Sequence, residues 1–204
     1  MDNGSDTMMK HTLFILPIAV LAIHSVAYGQ STAQPKVLTN NHPLMRYEVT
    51  VTVAGAPGPF DRVEAAADYR VKNEDCVSLT PLTGATVPPE KRLPLELLPS
   101  GNNVYKFEFF ADRLKDQDYF DKGICHWSVV AVSANLWIRN VNFSAPLFNK
   151  DLLQGRPVTR YYANRSYLTT GLDRVDVGEA NPAQYQDEAS ATFSITVDAR
   201  QTSK

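Results

Sequence analysis

The carboxylates of this chain concentrate in one loop. Asp112, Asp116, Asp118 and Asp121 all fall within ADRLKDQDYFDKG, and oxygen-rich loops of this kind can ligate calcium. The spacing misses the helix-loop-helix calcium template: Phe120 occupies the fifth position counted from Asp116, Trp127 stands where the bidentate glutamate belongs, and Lys115 and Lys122 dilute the charge. The loop therefore reads as solvated, with aspartates closing local turns. Asp116, Asp118 and Asp121 become candidates for touching a partner, and no metal ligand set is assigned. A second group, Arg160, Tyr161, Tyr162, Arg165 and Tyr167, lies in TRYYANRSYL. Tyrosine and arginine are the types enriched where interfaces gain most of their energy, so this group completes the partner-binding set. Its competing reading is an ordinary strand and turn.

Residue types that would carry catalysis are scarce. Once residues 1–29 are removed as a signal, His42 and His126 are the only histidines. A zinc site needs further ligands at short spacing, which neither has. No G-x-S-x-G nucleophile elbow occurs. Two carboxylates at glycosidase separation could come from the aspartate loop or from Glu179, Asp187 and Glu188, but the fold sets that distance. No catalytic residue and no cofactor is assigned; an envelope hydrolase using loop carboxylates stays as the alternative function.

The chain has two cysteines, Cys76 and Cys125, and its start explains what they do. Met8 to His11 form a short charged region, Leu13 to Ile23 is an apolar run, and Ala27-Tyr28-Gly29 offers small residues for cleavage before Gln30. The run is shorter than the roughly 20 apolar residues that cross a bilayer. Residues 1–29 are thus expected to be a signal peptide, with 1–7 a dispensable leader. In an oxidising compartment Cys76 and Cys125 should pair. The reading is a periplasmic or secreted protein without a membrane span after processing.

Of 20 basic and 22 acidic residues, the signal takes Lys10, Asp2 and Asp6, leaving 19 and 20 in the mature part. That balance, without a basic stripe, argues against nucleic acid as a partner. The remaining 175 residues suit one domain. Residues 30–44, polar with two prolines, read as a flexible leader, and 45–204 as the folded unit.

The mature chain alternates like an all-β protein. Met45, Tyr47, Val49, Val51 and Val53 are apolar at every second position, as are Phe193, Ile195 and Val197 near the end. Residues 61–71 alternate too, though the triple alanine also allows a short helix. Leu93, Leu95 and Leu97, flanked by Pro94 and Pro99, suggest an edge strand. Tyr105, Phe107 and Phe109 form an aromatic strand, placed beside the strand after Cys125. From Trp127 to Ile138 both faces look apolar, as in a central strand. The architecture expected is a two-sheet β-sandwich, immunoglobulin-like, with one intrachain disulfide and long loops.

Two phrases carry a resemblance. Asn73-Glu-Asp-Cys76 with Pro81-Leu-Thr-Gly84, and Tyr119-Phe-Asp-Lys-Gly-Ile-Cys125-His-Trp127, resemble segments of small uncharacterised periplasmic proteins of Gram-negative bacteria. Some members of that group are assigned as immunity partners of type VI secretion effectors. The resemblance implies the compartment and the architecture and transfers no catalytic residue. The resulting expectation is a protein that binds another protein, a secreted toxin; a structural or carbohydrate-binding module, marked by exposed planar aromatics such as Trp137, is the third reading.

Overall fold

The computed structural model describes residues 35–80, 83–171, 173–188 and 191–202; the expected signal peptide lies outside them. Two five-stranded sheets pack as a sandwich. The first contains β1 (Arg46–Ala54), β4 (Leu98–Gly101), β5 (Val104–Phe110), β8 (Val158–Ala163) and β10 (Thr192–Thr202), in the order β4-β5-β1-β10-β8. The second contains β2 (Arg62–Val71), β3 (Glu90–Leu95), β6 (Trp127–Ile138), β7 (Val141–Phe148) and β9 (Arg174–Asp176), in the order β3-β2-β6-β7-β9. Two short helices, α1 (Asn149–Leu153) and α2 (Asn164–Leu168), follow β7 and β8.

The strand pattern explains the core. Tyr47, Val49, Val51 and Val53 of β1, with Phe193, Ile195, Val197 and Ala199 of β10, point between the sheets and are buried. They meet Ala65, Ala67 and Tyr69 of β2 and Phe143, Ala145 and Leu147 of β7. Within residues 61–71, Arg62–Val71 form a strand: Ala65 and Ala67 face the core, and β-pairing on both sides outweighs the alanines' helix preference. The run of Leu93, Leu95 and Leu97 is divided: β3, which contains Pro94 and ends at Leu95, is an edge of the second sheet, and β4, which contains Pro99, is an edge of the first.

One expected neighbour is corrected. The aromatic strand β5 pairs with β1 and β4 and not with the strand after Cys125, which lies in the other sheet. Register decides this: Phe107 faces Val49 and Phe109 faces Tyr47 across β1, with the Tyr47 and Phe109 rings stacked at 5.1 Å. The chain then crosses between sheets through residues 111–126, and the Tyr69 hydroxyl donates to the Phe110 carbonyl at 2.7 Å, tying the layers together there.

A β-bulge governs β6. Asp68 pairs with Ala131 but Tyr69 pairs with Val129, so Val130 has no cross-strand partner. One unpaired residue reverses the in-out alternation. Trp127 and Val129 face the core before the bulge; Val132, Ala134, Leu136 and Ile138 face it afterwards.

The disulfide joins Cys76, in a 3-10 turn (Glu74–Cys76) after β2, to Cys125, just before β6. Since β2 and β6 are adjacent in one sheet, the bridge staples the ends of two paired strands, whereas antibody domains bridge their two sheets. A disulfide of this kind indicates an oxidising, extracytoplasmic compartment. Among the described residues no helix is long and apolar enough to cross a membrane.

Candidate functional site

The aspartate loop is built by its own carboxylates. Asp118 accepts from the backbone N–H groups of Gly123 (3.0 Å), Lys122 (3.1 Å) and Phe120 (3.2 Å). Those donors, Gly123 first, hold its carboxyl below the usual range. Asp121 takes the left-handed conformation, with φ at 56°, which aspartate tolerates better than most residues. Asp116 accepts from the Trp127 N–H through Oδ1 at 2.9 Å and pairs through Oδ2 with His126 Nδ1 at 2.7 Å. Asp112 accepts from the N–H groups of Leu44 (2.8 Å) and Met45 (3.0 Å). These acids order backbone. Among the described residues no group of three or more histidines, cysteines and acids could hold a metal.

The Asp116–His126 pair was invisible in the sequence because ten positions separate the partners and only the turn at Gly123 brings them together. It resembles the orienting half of a hydrolytic triad. The hydroxyl of Ser128, two residues after His126, accepts from Asn149 Nδ2 at 3.2 Å.

Beside this loop the chain forms a cleft of about 500 Å³ at one end of the sandwich. Its floor is Tyr47, Leu114, Trp127, Val129 and Leu152, all buried. One wall comes from the segment before β1. Leu38 accepts from Lys115 N–H at 2.9 Å, Asn40 donates to Arg113 at 2.8 Å, and Thr39 bridges Leu114, so residues 38–45 run along the loop and carry Met45 to the rim. α1 contributes Asn149, Leu152 and Leu153 to the lining.

Two lysines and two aspartates line the cleft. Asp112 and Asp116 line it but spend their oxygens on the backbone and His126, while Lys72 and Lys115, also lining it, form no side-chain ion pair among the described residues. The rim carries two exposed apolar side chains, Met45 at 41% and Leu153 at 66%. The Trp127 indole N–H is buried and has no hydrogen-bond partner among the described residues.

The tyrosine and arginine group lies elsewhere and is largely structural. Tyr162 is fully buried, stacked on Phe193 at 5.2 Å and edge-on to Phe143 at 5.4 Å, and its hydroxyl donates to the Ser144 carbonyl at 2.9 Å. Tyr167 is buried against Phe60, and its hydroxyl donates to the Pro59 carbonyl. Burial raises both hydroxyls' pKa above the ordinary tyrosine value. Tyr162 serves the core because its side of β8 faces the other sheet, and Tyr167 because α2 turns it inward, so neither ring is a surface contact. Tyr161 and Arg160 are half-buried on β8, and Arg165 is exposed on α2. The two expected groups also sit apart. Asp116 binds the first residue of β6, while Tyr167 accepts through its carbonyl from Arg139, the residue just after that strand. A twelve-residue strand separates them, which spans about 37 Å when extended.

Glu179 is bonded through its backbone to Tyr161; the side chains of Asp187 and Glu188 lie outside the described residues, as does Pro81. No protein-family model, curated protein or solved structure matches this chain.

Proposed function

We propose that this chain is an exported periplasmic β-sandwich that works by binding another protein, as an immunity partner that neutralises an antibacterial effector. The observation that supports this reading is the cleft beside the aspartate loop. Lys72 and Lys115, which form no side-chain ion pair among the described residues, stand with the exposed side chains of Met45 and Leu153 over a buried floor. Exposed apolar patches rimmed by polar groups mark interaction surfaces, and unpaired charge beside them supplies selectivity and faster encounter. The complement is a partner segment that offers a carboxylate next to an apolar side chain.

The disulfide contributes rigidity at this end of the fold. Cys125 immediately precedes His126 and Trp127, so the covalent link and the Asp116 contacts hold the cleft floor before any partner arrives. A preorganised surface loses less conformational entropy on binding.

The test is co-expression with the secreted products encoded beside it. Growth rescue from one of them, with a stoichiometric complex on gel filtration, is the expected result. Lys72→Glu with Lys115→Glu, or Leu153→Asp, should weaken that complex at least about tenfold, a change of roughly 1.4 kcal/mol. Failure of every such product to bind, or full rescue by these variants, removes the proposal.

A further inference from the structure

Among the described residues the two sheets end in four edge strands, β3, β4, β8 and β9. β3 contains Pro94 and β4 contains Pro99, and proline cannot donate to a ladder. β8 is already capped: the Tyr161 N–H donates to the Glu179 carbonyl at 2.9 Å, and the Glu179 N–H returns a bond to the Tyr161 carbonyl at 2.8 Å. The fourth edge, β9, contains no proline and has β7 as its one sheet neighbour among the described residues.

Pairing with β7 fixes which way the β9 backbone points. Arg174 lies opposite Val141 in a parallel ladder, and its N–H donates to the Asn140 carbonyl at 3.0 Å. Backbone groups alternate sides along a strand, so Arg174 and Asp176 turn theirs toward β7 while Val175 and Val177 turn theirs outward. Both outward residues are β-branched and open, Val175 at 62% and Val177 at 57% exposure. A concavity of about 220 Å³ lies against this segment, lined by Arg174 to Glu179. An edge of this kind is a template for another strand.

The edge is complementary to itself. Laid antiparallel about a two-fold axis through Val175, it sets Val175 opposite the identical residue, Arg174 opposite the second copy's Asp176, and Asp173 opposite the second copy's Val177. The outward N–H and C=O of Val175 then exchange both bonds across the axis, as a hydrogen-bonded pair of an antiparallel ladder requires. Opposite charges meet at the two flanking positions, which stabilises cross-strand neighbours. Within one copy the same charges are only loosely joined. Arg174 Nη2 stands 3.7 Å from Asp176 Oδ2, while Asp176 Oδ1 accepts from the Gly178 N–H at 3.0 Å. Oδ2 therefore keeps its capacity for a guanidinium reaching across the edge.

We infer that β9 is a self-association edge: two copies of this chain pair β9 to β9, antiparallel through Val175, and join their second sheets into one. The contact is short, so association is weak and concentration-dependent, in the class of interfaces below about 1,200 Å². It shares no lining residue with the cleft, so it stands or falls apart from the protein-binding reading.

The test is sedimentation velocity of the purified mature protein, without reductant, from about 5 to about 500 µM. The weight-average mass should rise from one chain toward two, with half-association on the order of 100 µM. Val175→Pro removes an N–H that the single copy leaves out of its own ladder, and should move half-association at least about tenfold higher while the circular dichroism spectrum is unchanged. Arg174→Glu alone sets acid against acid at both flanking positions, and Asp176→Arg alone sets base against base, so each should remain a single chain throughout. An equimolar mixture of the two restores both opposite-charge pairs and should associate as the native protein does. Val175→Pro decides the matter if Asp176→Arg folds poorly. A native protein that stays a single chain at the highest concentration, a Val175→Pro variant that associates like the native one, or well-folded charge variants whose mixture stays apart would overturn the inference.

Discussion

Asp116 holds the start of the central strand: its Oδ1 accepts the Trp127 backbone N–H at 2.9 Å while its Oδ2 is engaged by His126. The residue that the sequence offers as a partner contact is therefore an anchor for the strand the sandwich is built around. Removing it leaves the Trp127 N–H without its acceptor. Asp116→Ala should lower stability by about 1–3 kcal/mol, read as a shifted urea midpoint with an unchanged slope. An unchanged midpoint would mean water replaces the carboxylate without loss.

The Cys76–Cys125 bridge closes a span of 49 residues, for which the chain-entropy model gives about 4 kcal/mol. Cys125 is fully buried, so reductant should act slowly on the native protein and quickly once denaturant opens it. The double Cys76→Ala, Cys125→Ala variant should unfold at markedly lower urea. Equal midpoints for the variant and the oxidised protein would show that the β2·β6 pairing alone holds this end together.

Tyr162 and Tyr161 are neighbours with opposite expectations. Tyr162→Ala empties a fully buried site between Phe143 and Phe193 and should cost about 3–5 kcal/mol. Tyr161→Ala, at a half-buried position, should cost about 1 kcal/mol. Thermal unfolding of the pair checks the assignment, and comparable losses would contradict the burial pattern.

Stability should fall at both ends of the pH scale for different reasons. Asp118 has a depressed folded-state pKa from the Gly123, Lys122 and Phe120 amides, so its contribution is present above the unfolded value of about 3.9 and is lost as pH falls through the folded one. The difference between the native chain and Asp118→Asn should shrink in that window. Burial raises the pKa of Tyr69 and Tyr162, and pushes Tyr185 up to about 12. Their contribution is complete below the unfolded value of about 10 and declines as pH rises, for Tyr185 until pH passes about 12. Urea midpoints measured from pH 2 to 12 would show both limbs; a flat alkaline limb would mean these hydroxyls ionise as easily folded as unfolded.

Local pattern alone determined much of the fold. Alternation at Tyr47 to Val53 and at Phe193 to Val197 specifies strands with one buried face, because side chains on a strand change side at every residue. Two cysteines in an exported chain specify one bridge, and prolines at 94 and 99 specify edges, because proline cannot donate to a ladder. Tertiary structure decided the rest. Whether Tyr162 or Tyr161 is buried depends on which β8 face meets β7, and residue type cannot report that. The Asp116–His126 contact needs a turn whose closure is set by Asp118. The deepest undetermined feature was the bulge at Val130. Strict alternation would put Ser133, Asn135 and Trp137 on the same face as Trp127 and Val129, inside the core. One unpaired residue reverses the parity and turns that polar row outward, because register in a sheet is a property of the pairing of two strands and is written in neither one alone.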